Sequence, residues 1–485
     1  MGNIKRNLVL QTIYQVLNTC LPLITAPYLS RILGASNLGI FSYTSSVVSY
    51  FTLFAMLGTM NYGTRSIAIV QKCQENLNKT FCEIYSLQLC LATVTIASYG
   101  GYWILFCTKY KLIALIQIIE IFSCAINIGW LFFGLEKFQI TVTRNVIVKV
   151  LTVIGILLFV KTADDLWKYV VIMLGGTMIS QISLWIYVPR YVKFVPIKAS
   201  DVFKHIKPNV ALFMPLLAMS VYHTMDKTML GLISSAEESG FYYNADKLIN
   251  IPVNIISGVG TVMLPRITAL ISSEHKEDGV KLFSISLEGT VFVSIAMAFG
   301  IAAIAPEFVP FFFGNGYEPC ILLCRIMAPV LIIKGFSLTV RTQYMIPFKM
   351  EKDYTKSVLV GAVVNVFMNA ILIPNYGALG ATCGTLAAEL SSCIMLFIPV
   401  MKQIELKHVF INSFLYTLFA IAMSITVRIV SSIFTMNVII KIVVEIVTGG
   451  IVMLLLSLLF WKKTENRMYD FVVNSMTTKK IRKER

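Results

Sequence analysis

The amino-acid sequence predicts an all-α polytopic membrane protein. Of its 485 residues, 57% are hydrophobic and 14% are charged, whereas soluble domains are roughly 45–50% apolar and about 25% charged. Apolar runs of about 20 residues, enough to cross roughly 30 Å of hydrocarbon as a helix, recur along the whole chain. No stretch between these runs is long enough for a folded soluble domain, so any function must reside in the helices or in their short loops.

Charged and Pro/Gly/Asn-rich breaks divide the chain into about fourteen apolar segments, each a candidate transmembrane helix. The predicted segments are 7–29, 38–60, 81–106, 112–134, 144–161, 169–188, 208–233, 242–268, 281–304, 319–346, 355–373, 379–401, 409–431 and 438–461.

Lys and Arg residues predict the orientation of these segments. With the N-terminus in the cytoplasm, most of the 41 Lys and Arg residues fall in cytoplasmic loops, as the positive-inside rule requires. The linker PRYVKFVPIKASDVFKHIKP at 189–208 and the tail ending KKIRKER contribute most. We therefore expect both termini in the cytoplasm. The net charge of +16 is interpreted as a topology signal that suits anionic membrane lipids, and it does not indicate nucleic-acid binding.

The two halves of the chain share a pattern. The first reads LPLITAPYLSRILGASNLGIF from Leu21, and the second reads MPLLAMSVYHTMDKTMLGLISSAEESGFYY from Met214. Each has Pro-Leu near the start of a long helix, then a cation, a Leu-Gly pair, a short polar loop and a Gly-aromatic entry into the next helix. The pattern predicts two six-helix lobes related by a parallel repeat, with two C-terminal helices outside it. The predicted boundaries are 1–188 for the N-lobe, 189–207 for the basic linker, 208–401 for the C-lobe, 402–461 for the last two helices and 462–485 for the basic tail.

Several cations interrupt the apolar segments, where a charge costs about 2.5–3.5 kcal/mol on insertion scales and needs a partner, a route to the surface or a function. Arg31 closes the first segment, Lys227 lies late in the seventh, and Lys247 opens the eighth. Lys334 and Arg341 are seven residues apart, so they share one helix face at a separation of about 10 Å. Structural ion pairing is an equally open interpretation for each of them.

Prolines mark a candidate cavity. Pro22 and Pro27 are expected to break the first helix, and Pro215 occupies the corresponding helix of the second half. Interrupted helices at matching places in two repeats are typical of a transporter's central site. Because Arg31 and Lys227 belong to the same two helices, the sequence predicts a cation-lined cavity between the halves, suited to an anionic substrate.

Two further polar residues are candidates for ion coupling. His223 and Asp226 share a helix face next to Tyr222, and they are suited to carry a proton or a sodium ion. A plain salt bridge from Asp226 to Lys227 or to an arginine is an open alternative. Glu389 is interpreted as a packing residue.

Catalytic and cofactor motifs are missing from the sequence. The ten cysteines lack paired metal-ligand spacing, and neither GxxxxGK[ST], HExxH, GxSxG nor a catalytic Cys/His arrangement occurs. We expect no catalytic residue, metal or cofactor, and hence transport driven by a gradient or a partner.

Four stretches resemble the oligosaccharide flippases, the Wzx-type members of the multidrug/oligosaccharidyl-lipid/polysaccharide exporter superfamily. They are PLITAPYLSRILGASNLGIFSYTSSVVSYF from Pro22, DKTMLG at 226–231, VMLPRI at 262–267, and QYMIPFKMEKDYTKSVLVGAVVNVFMNAILIPNYGALGATCGTLAAEL at 343–390. The resemblance covers nearly the whole chain in order, and no single stretch is a catalytic signature.

This resemblance implies alternating access around a central cavity and a substrate of undecaprenyl-diphosphate carrying an oligosaccharide repeat unit. The substrate would pass from the cytoplasmic to the outer leaflet of a bacterial inner membrane for O-antigen, capsule or exopolysaccharide assembly. The expected partners are this lipid-linked oligosaccharide, membrane lipids, and a polysaccharide polymerase and glycosyltransferases. The resemblance assigns the diphosphate to the cations Arg31, Arg65, Lys227, Lys247, Lys334 and Arg341, since guanidinium and ammonium groups bind phosphate through charge-assisted hydrogen bonds.

Three alternatives stay open at this point. A lipid II flippase of the same superfamily would share the fold and the cations and differ in the sugar. A multidrug extrusion antiporter would favour an acidic or apolar cavity for organic cations. A membrane glycosyltransferase or polymerase would normally need a large outer loop with catalytic residues.

Overall fold

The computed structural model describes residues 2–273, 276–433 and 437–464, and every regular element in this part of the chain is helical. Eleven of the described helices are long and apolar enough to cross a membrane. The predicted fold class, an all-α polytopic membrane protein, is confirmed. From residue 465 on, the predicted basic tail lies outside the described residues.

The chain forms two compact units, one up to Tyr243 and one from Asn244 onward. Helices of the first unit are α1 (Gly2–Met56), α2 (Thr59–Val70), α3 (Gln74–Leu105), α4 (Lys111–Ile116), α5 (Ile118–Ala125), α6 (Gly129–Gly134), α7 (Phe138–Phe159), α8 (Leu166–Trp185), α9 (Ala199–Phe203) and α10 (Ile206–Ile233). Helix α11 (Ala236–Ile271) begins in the first unit and ends in the second. The second unit continues with α12 (Lys276–Phe313), α13 (Pro319–Val340), a π-helical turn (Arg341–Met345), α14 (Glu351–Met401), α15 (Lys407–Ile433) and α16 (Val438–Lys463).

Glycines interrupt the two longest helices. Gly34 in α1 has φ 76° and ψ 169°, and Gly377 in α14 has φ 51° and ψ −127°. Positive φ is accessible to glycine because it lacks a Cβ. Each break separates two predicted apolar segments, so each long helix corresponds to two predicted ones. The expected break at Pro22 and Pro27 is wrong, because α1 stays helical through both prolines and departs from helical geometry only at Gly34.

Segment 112–134, predicted as one helix, is three short ones. The regular helix is interrupted at Gln117, whose backbone angles stay in the right-handed helical region, and the chain leaves helical geometry between Ala125 and Gly129. The side chain of Gln88 bonds to backbone carbonyls at the second interruption: its Nε2 donates to the carbonyl oxygens of Cys124 at 2.6 Å and Asn127 at 2.8 Å. Broken helices are tolerated at membrane depth where side chains satisfy the freed backbone groups in this way.

The basic linker is bound along α3. Gln74, Asn78 and Cys82 follow one another at four-residue intervals and therefore share a face of α3. Gln74 donates to the Tyr191 carbonyl at 2.8 Å, and Asn78 Oδ1 accepts from the Lys193 amide at 2.9 Å. The Cys82 thiol contacts the Lys193 carbonyl oxygen and accepts from the Val195 amide. These three side chains bond to the linker backbone and hold it against α3.

A buried carboxylate fixes the far end of the linker. Glu83, which is 2% exposed, contacts Lys204 Nζ at 3.0 Å and His205 Nε2 at 2.9 Å. The Tyr62 hydroxyl lies 2.6 Å from the other ring nitrogen of His205. Glu83 thus joins α3 to the start of α10 through charged hydrogen bonds, which are among the stronger contacts in proteins.

A reciprocal backbone contact joins α1 to the start of α11. A Cβ added to Gly39 would overlap the carbonyl oxygen of Ala236, and one added to Gly240 would overlap the carbonyl oxygen of Ala35. Each Ala-xxx-Gly segment therefore uses its glycine to admit the backbone of the other, as small-residue motifs do between membrane helices. The two segments are the equivalent polar loops of the repeat inferred from the sequence.

Two polar layers fasten the last two helices to α12 in the second unit. In one layer, Glu288 accepts from Tyr416 at 2.6 Å and from Asn412 at 2.8 Å, and Trp461 Nε1 donates to the Tyr416 hydroxyl at 2.8 Å. The apolar residues around Tyr416 and Trp461 belong to the largest described core cluster.

The second layer is an ion-pair network about 28 Å further along α12. Glu307 accepts from Arg428 Nη1 at 2.7 Å and from Ser431 at 3.0 Å, and Lys441 Nζ lies 3.2 Å away. Since this distance matches the thickness of the hydrocarbon core, α12, α15 and α16 are joined near both ends of their membrane-spanning parts.

We predict that Gly39→Ala and Gly240→Ala each destabilise the protein by about 1–3 kcal/mol, the usual effect of overpacking. The added methyl group must displace a backbone carbonyl. Thermal unfolding of the purified protein in detergent measures the effect. Gly100→Ala in α3 is the matched control, because its Cβ would meet nothing within 4 Å. Unchanged melting of both variants would contradict the contact.

We also predict that Glu83→Gln lowers stability by about 1.5–3 kcal/mol, the contribution of hydrogen bonds to a charged group. The Gln side chain has one acceptor oxygen and an NH₂ donor group, so it cannot replace both carboxylate oxygens that Lys204 and His205 contact. The comparison variant is Glu75→Gln, two turns earlier on α3 at an exposed position, and equal melting temperatures of the two would refute the role of Glu83.

Candidate functional site

The predicted cations of the first unit lie on three helices. Arg31 is exposed at the protein surface, three residues before the Gly34 break, and Arg65 is exposed on α2. Lys227 is half-buried on α10, and its Nζ lies 5.8 Å from the ring centroid of Tyr243, within cation–π range.

Asp226, one of the predicted ion-coupling residues, is buried at 4% exposure. The Tyr242 hydroxyl donates to its Oδ2 at 2.6 Å. His223 is exposed, one turn earlier on the same helix. Asp226 and Lys227, adjacent on α10, therefore contact the adjacent tyrosines Tyr242 and Tyr243 at the start of α11. The Asp226 carboxylate has Tyr242 as a hydrogen-bond donor.

Helix α10 packs on α1 beside this pair. Thr228 Oγ1 lies 2.9 Å from Ser46 Oγ and 3.3 Å from the Tyr50 hydroxyl. A polar contact between α10 and α1 thus lies next to Asp226 and Lys227 along α10.

In the second unit, Lys334 forms an ion pair with Glu389. Lys334 Nζ on α13 lies 3.3 Å from Glu389 Oε1 on α14, with side-chain exposures of 14% and 9%. One turn beyond Glu389, the Cys393 thiol contacts the Ile333 carbonyl oxygen, which helps to hold the two helices together here. Glu389, interpreted from the sequence as a packing residue, is the charge partner of a predicted substrate-binding cation.

Arg341 begins the π-helical turn that follows α13. Its guanidinium carbon lies 4.3 Å from the ring centroid of Tyr354 on α14, a close cation–π distance. Lys334, Arg341, Tyr354 and Glu389 all lie where α14 meets α13 and the π-helical turn, and they are named here the α13–α14 cluster, with two cations and one carboxylate.

Lys247 is half-buried on α11. Its neighbour Asp246 accepts a hydrogen bond from Asn250 Nδ2 at 2.7 Å, one turn later on the same helix. The structure therefore divides the six predicted cations between the two units, and it brings Lys334 and Arg341 together in one cluster.

Several charged residues that join helices were not found from the sequence. Glu83, Glu307 and Arg428 were not singled out, although each stands in or beside an apolar segment and that position was the available signal. Arg144 was missed for the same reason; its guanidinium donates to the Ser180 carbonyl and to Asn145 Oδ1, so it joins α7 to α8. Within the described residues, no three His, Cys, Asp or Glu side chains are grouped to hold a metal ion.

Comparison with known proteins identifies the family. Residues 4–271 match the family described as polysaccharide biosynthesis protein. The chain belongs to this family. The predicted resemblance is therefore confirmed, and the chain is a multi-pass membrane protein with a transporter fold.

Named relatives agree with the family. A putative O-antigen transporter of Shigella dysenteriae is 26% identical over 79% of this chain and 97% of its own length. One of Escherichia coli K12 is 22% identical over 82% of this chain and 97% of its length. Among solved structures, the lipid II flippase MurJ in an inward closed conformation shares the fold, with a TM-score of 0.77 and 16% identity over 94% of this chain and 99% of that one.

Proposed function

We propose that this chain moves a lipid-linked oligosaccharide, undecaprenyl-diphosphate carrying a sugar repeat unit, from the cytoplasmic to the outer leaflet by alternating access. The match to O-antigen transporters along nearly their whole length carries the proposal. The membrane-embedded cations support it, because a diphosphate is the anionic part of such a substrate. The product would serve assembly of O-antigen, capsule or exopolysaccharide.

The proposed setting is the bacterial inner membrane, with both termini in the cytoplasm. The distribution of Lys and Arg between alternate loops supports this orientation. Glycosyltransferases that build the repeat unit and a polymerase that consumes it are the proposed partners, because the chain supplies neither chemistry in our interpretation.

The proposed diphosphate contacts are Arg31, Arg65, Lys227, Lys247, Lys334 and Arg341. Among them, Lys334 and Arg341 are favoured because they lie in one cluster that has more positive than negative charge. Asp226 and His223 stay predictions as ion-coupling residues.

A lipid II flippase is the alternative function, because it would use the same cations on the same diphosphate and differ in the sugar. A multidrug extrusion antiporter is less favoured, because two cations in the α13–α14 cluster would repel organic cations.

Deletion of the gene tests the proposal. We expect loss of surface polysaccharide, with undecaprenyl-diphosphate-linked repeat units accumulating on the cytoplasmic face, where their sugars are identified by mass spectrometry. A plasmid copy should restore export. Accumulation of lipid II would favour the alternative function, and normal surface polysaccharide with no accumulating intermediate would refute both.

Substitution of the favoured cations tests the site. We expect Lys334→Ala and Arg341→Ala each to reduce polysaccharide export by roughly tenfold to hundredfold, since each removes a charge-assisted hydrogen bond. Immunoblotting of membranes checks that the protein is present. Arg325→Ala is the control, because Arg325 is exposed on α13 and donates to the Ala302 carbonyl oxygen instead. Normal export by both cluster variants would exclude a substrate role for these residues.

A further inference from the structure

We infer that Glu389 competes with the substrate diphosphate for Lys334 and thereby promotes release of the substrate. This inference rests on the proposed function. It assigns Glu389 as a positioning residue that acts through Lys334, and it does not require Glu389 to touch the substrate.

Glu389 and Lys334 form a close pair at the contact between α14 and α13. Glu389 Oε1 lies 3.3 Å from Lys334 Nζ, and both side chains are largely buried. A carboxylate at this distance occupies part of the coordination sphere that the ammonium group would offer to a phosphate oxygen, because Lys has only three donors. Lys334 therefore already has one anionic partner.

In the proposed site Lys334 could bind either Glu389 or the substrate diphosphate, whereas Glu389 has few cations near it. The main described elements packed on α14 are α13 and the π-helical turn. They carry the cations Arg325, Lys334 and Arg341. Arg325 donates to the Ala302 carbonyl oxygen and Arg341 lies over the ring of Tyr354, whereas Lys334 is in ion-pair contact with Glu389.

A diphosphate that binds Lys334 and Arg341 must approach Glu389, since all three belong to the α13–α14 cluster. Two anions that share one ammonium group repel each other, and the repulsion is strong where water is scarce. The carboxylate therefore weakens diphosphate binding and reoccupies Lys334 when the substrate leaves. A transport site must bind its substrate weakly enough to let it go, and an internal competing anion meets that need.

This role has a consequence that a purely structural ion pair would not have. Neutralising Glu389 should strengthen binding of the substrate, whereas loss of a structural partner would weaken or disorder the site. The sign of the change in affinity distinguishes the two.

The experiment measures binding of farnesyl diphosphate, a short lipid diphosphate, to the full-length protein in detergent by isothermal titration calorimetry. We expect Glu389→Gln to bind about tenfold tighter than the wild type, an effect typical of a close charge contact, and to export polysaccharide more slowly in cells. Farnesol, which lacks the diphosphate, should show no such gain. Glu405→Gln is the control, because Glu405 is exposed in the loop after α14.

The double variant Lys334→Gln/Glu389→Gln completes the test and guards against misfolding, because removing both partners leaves no lone buried charge. We expect it to bind only slightly tighter than Lys334→Gln alone, because competition for the ammonium group is gone and only direct repulsion from the carboxylate is relieved. Wild-type or weaker affinity of folded Glu389→Gln would overturn the inference, as would a gain that is equally large without Lys334. Absence of farnesyl diphosphate binding by the wild type would count against the proposed function itself.

Discussion

A charge placed in hydrocarbon without a partner is unfavourable, by about 2.5–3.5 kcal/mol even on insertion scales, and this constraint explains much of how the helices are arranged. Several charged residues in the described part of the chain are paired between helices that are neighbours in space. Glu307 joins α12 to α15 and α16 through Arg428 and Lys441, and Lys334 on α13 meets Glu389 on α14. Because apolar packing between helices competes with equally apolar lipid, such polar contacts define which helix faces meet.

The same constraint governs the backbone. In lipid an unsatisfied N–H or C=O is costly, so a helix can break only where another group takes its place. The break after α5 is possible because Gln88 donates to both exposed carbonyls while its Oε1 accepts from Trp130 at 2.9 Å. At Gly34 the chain adopts a positive φ, which glycine permits because it lacks a Cβ. The following Ala35–Gly39 segment packs against Ala236–Gly240.

Hydrophobicity was sufficient to predict the fold class and the position of nearly every long helix, because about 20 apolar residues have one stable form in a membrane. It could not predict the break after α5 in segment 112–134, where Gln88, a residue of another helix, bonds to the backbone. The pairing of Lys334 was equally hidden: Glu389 is 55 residues away along the chain, and only the packing of α13 on α14 brings them together. Arg341 was predictable as a cation within an apolar segment, but its contact with the Tyr354 ring was not, since the π-helical turn that positions it carries no sequence signature. The lobe boundaries at 189–207 stay predictions.

The charges of the α13–α14 cluster fit a site that must bind and release. A cluster with no net charge would not attract an anion. Two cations without a carboxylate would bind a diphosphate too tightly for its release. With Lys334, Arg341 and Glu389 the formal sum is a single positive charge, and Tyr354 shields the guanidinium on one side. A guanidinium carries five N–H donors, so contact with one ring leaves others for an anion. In the proposed site Arg341 would therefore remain a donor to phosphate while Lys334 is the adjustable member, and affinity for the substrate would depend on how strongly Glu389 holds one ammonium group.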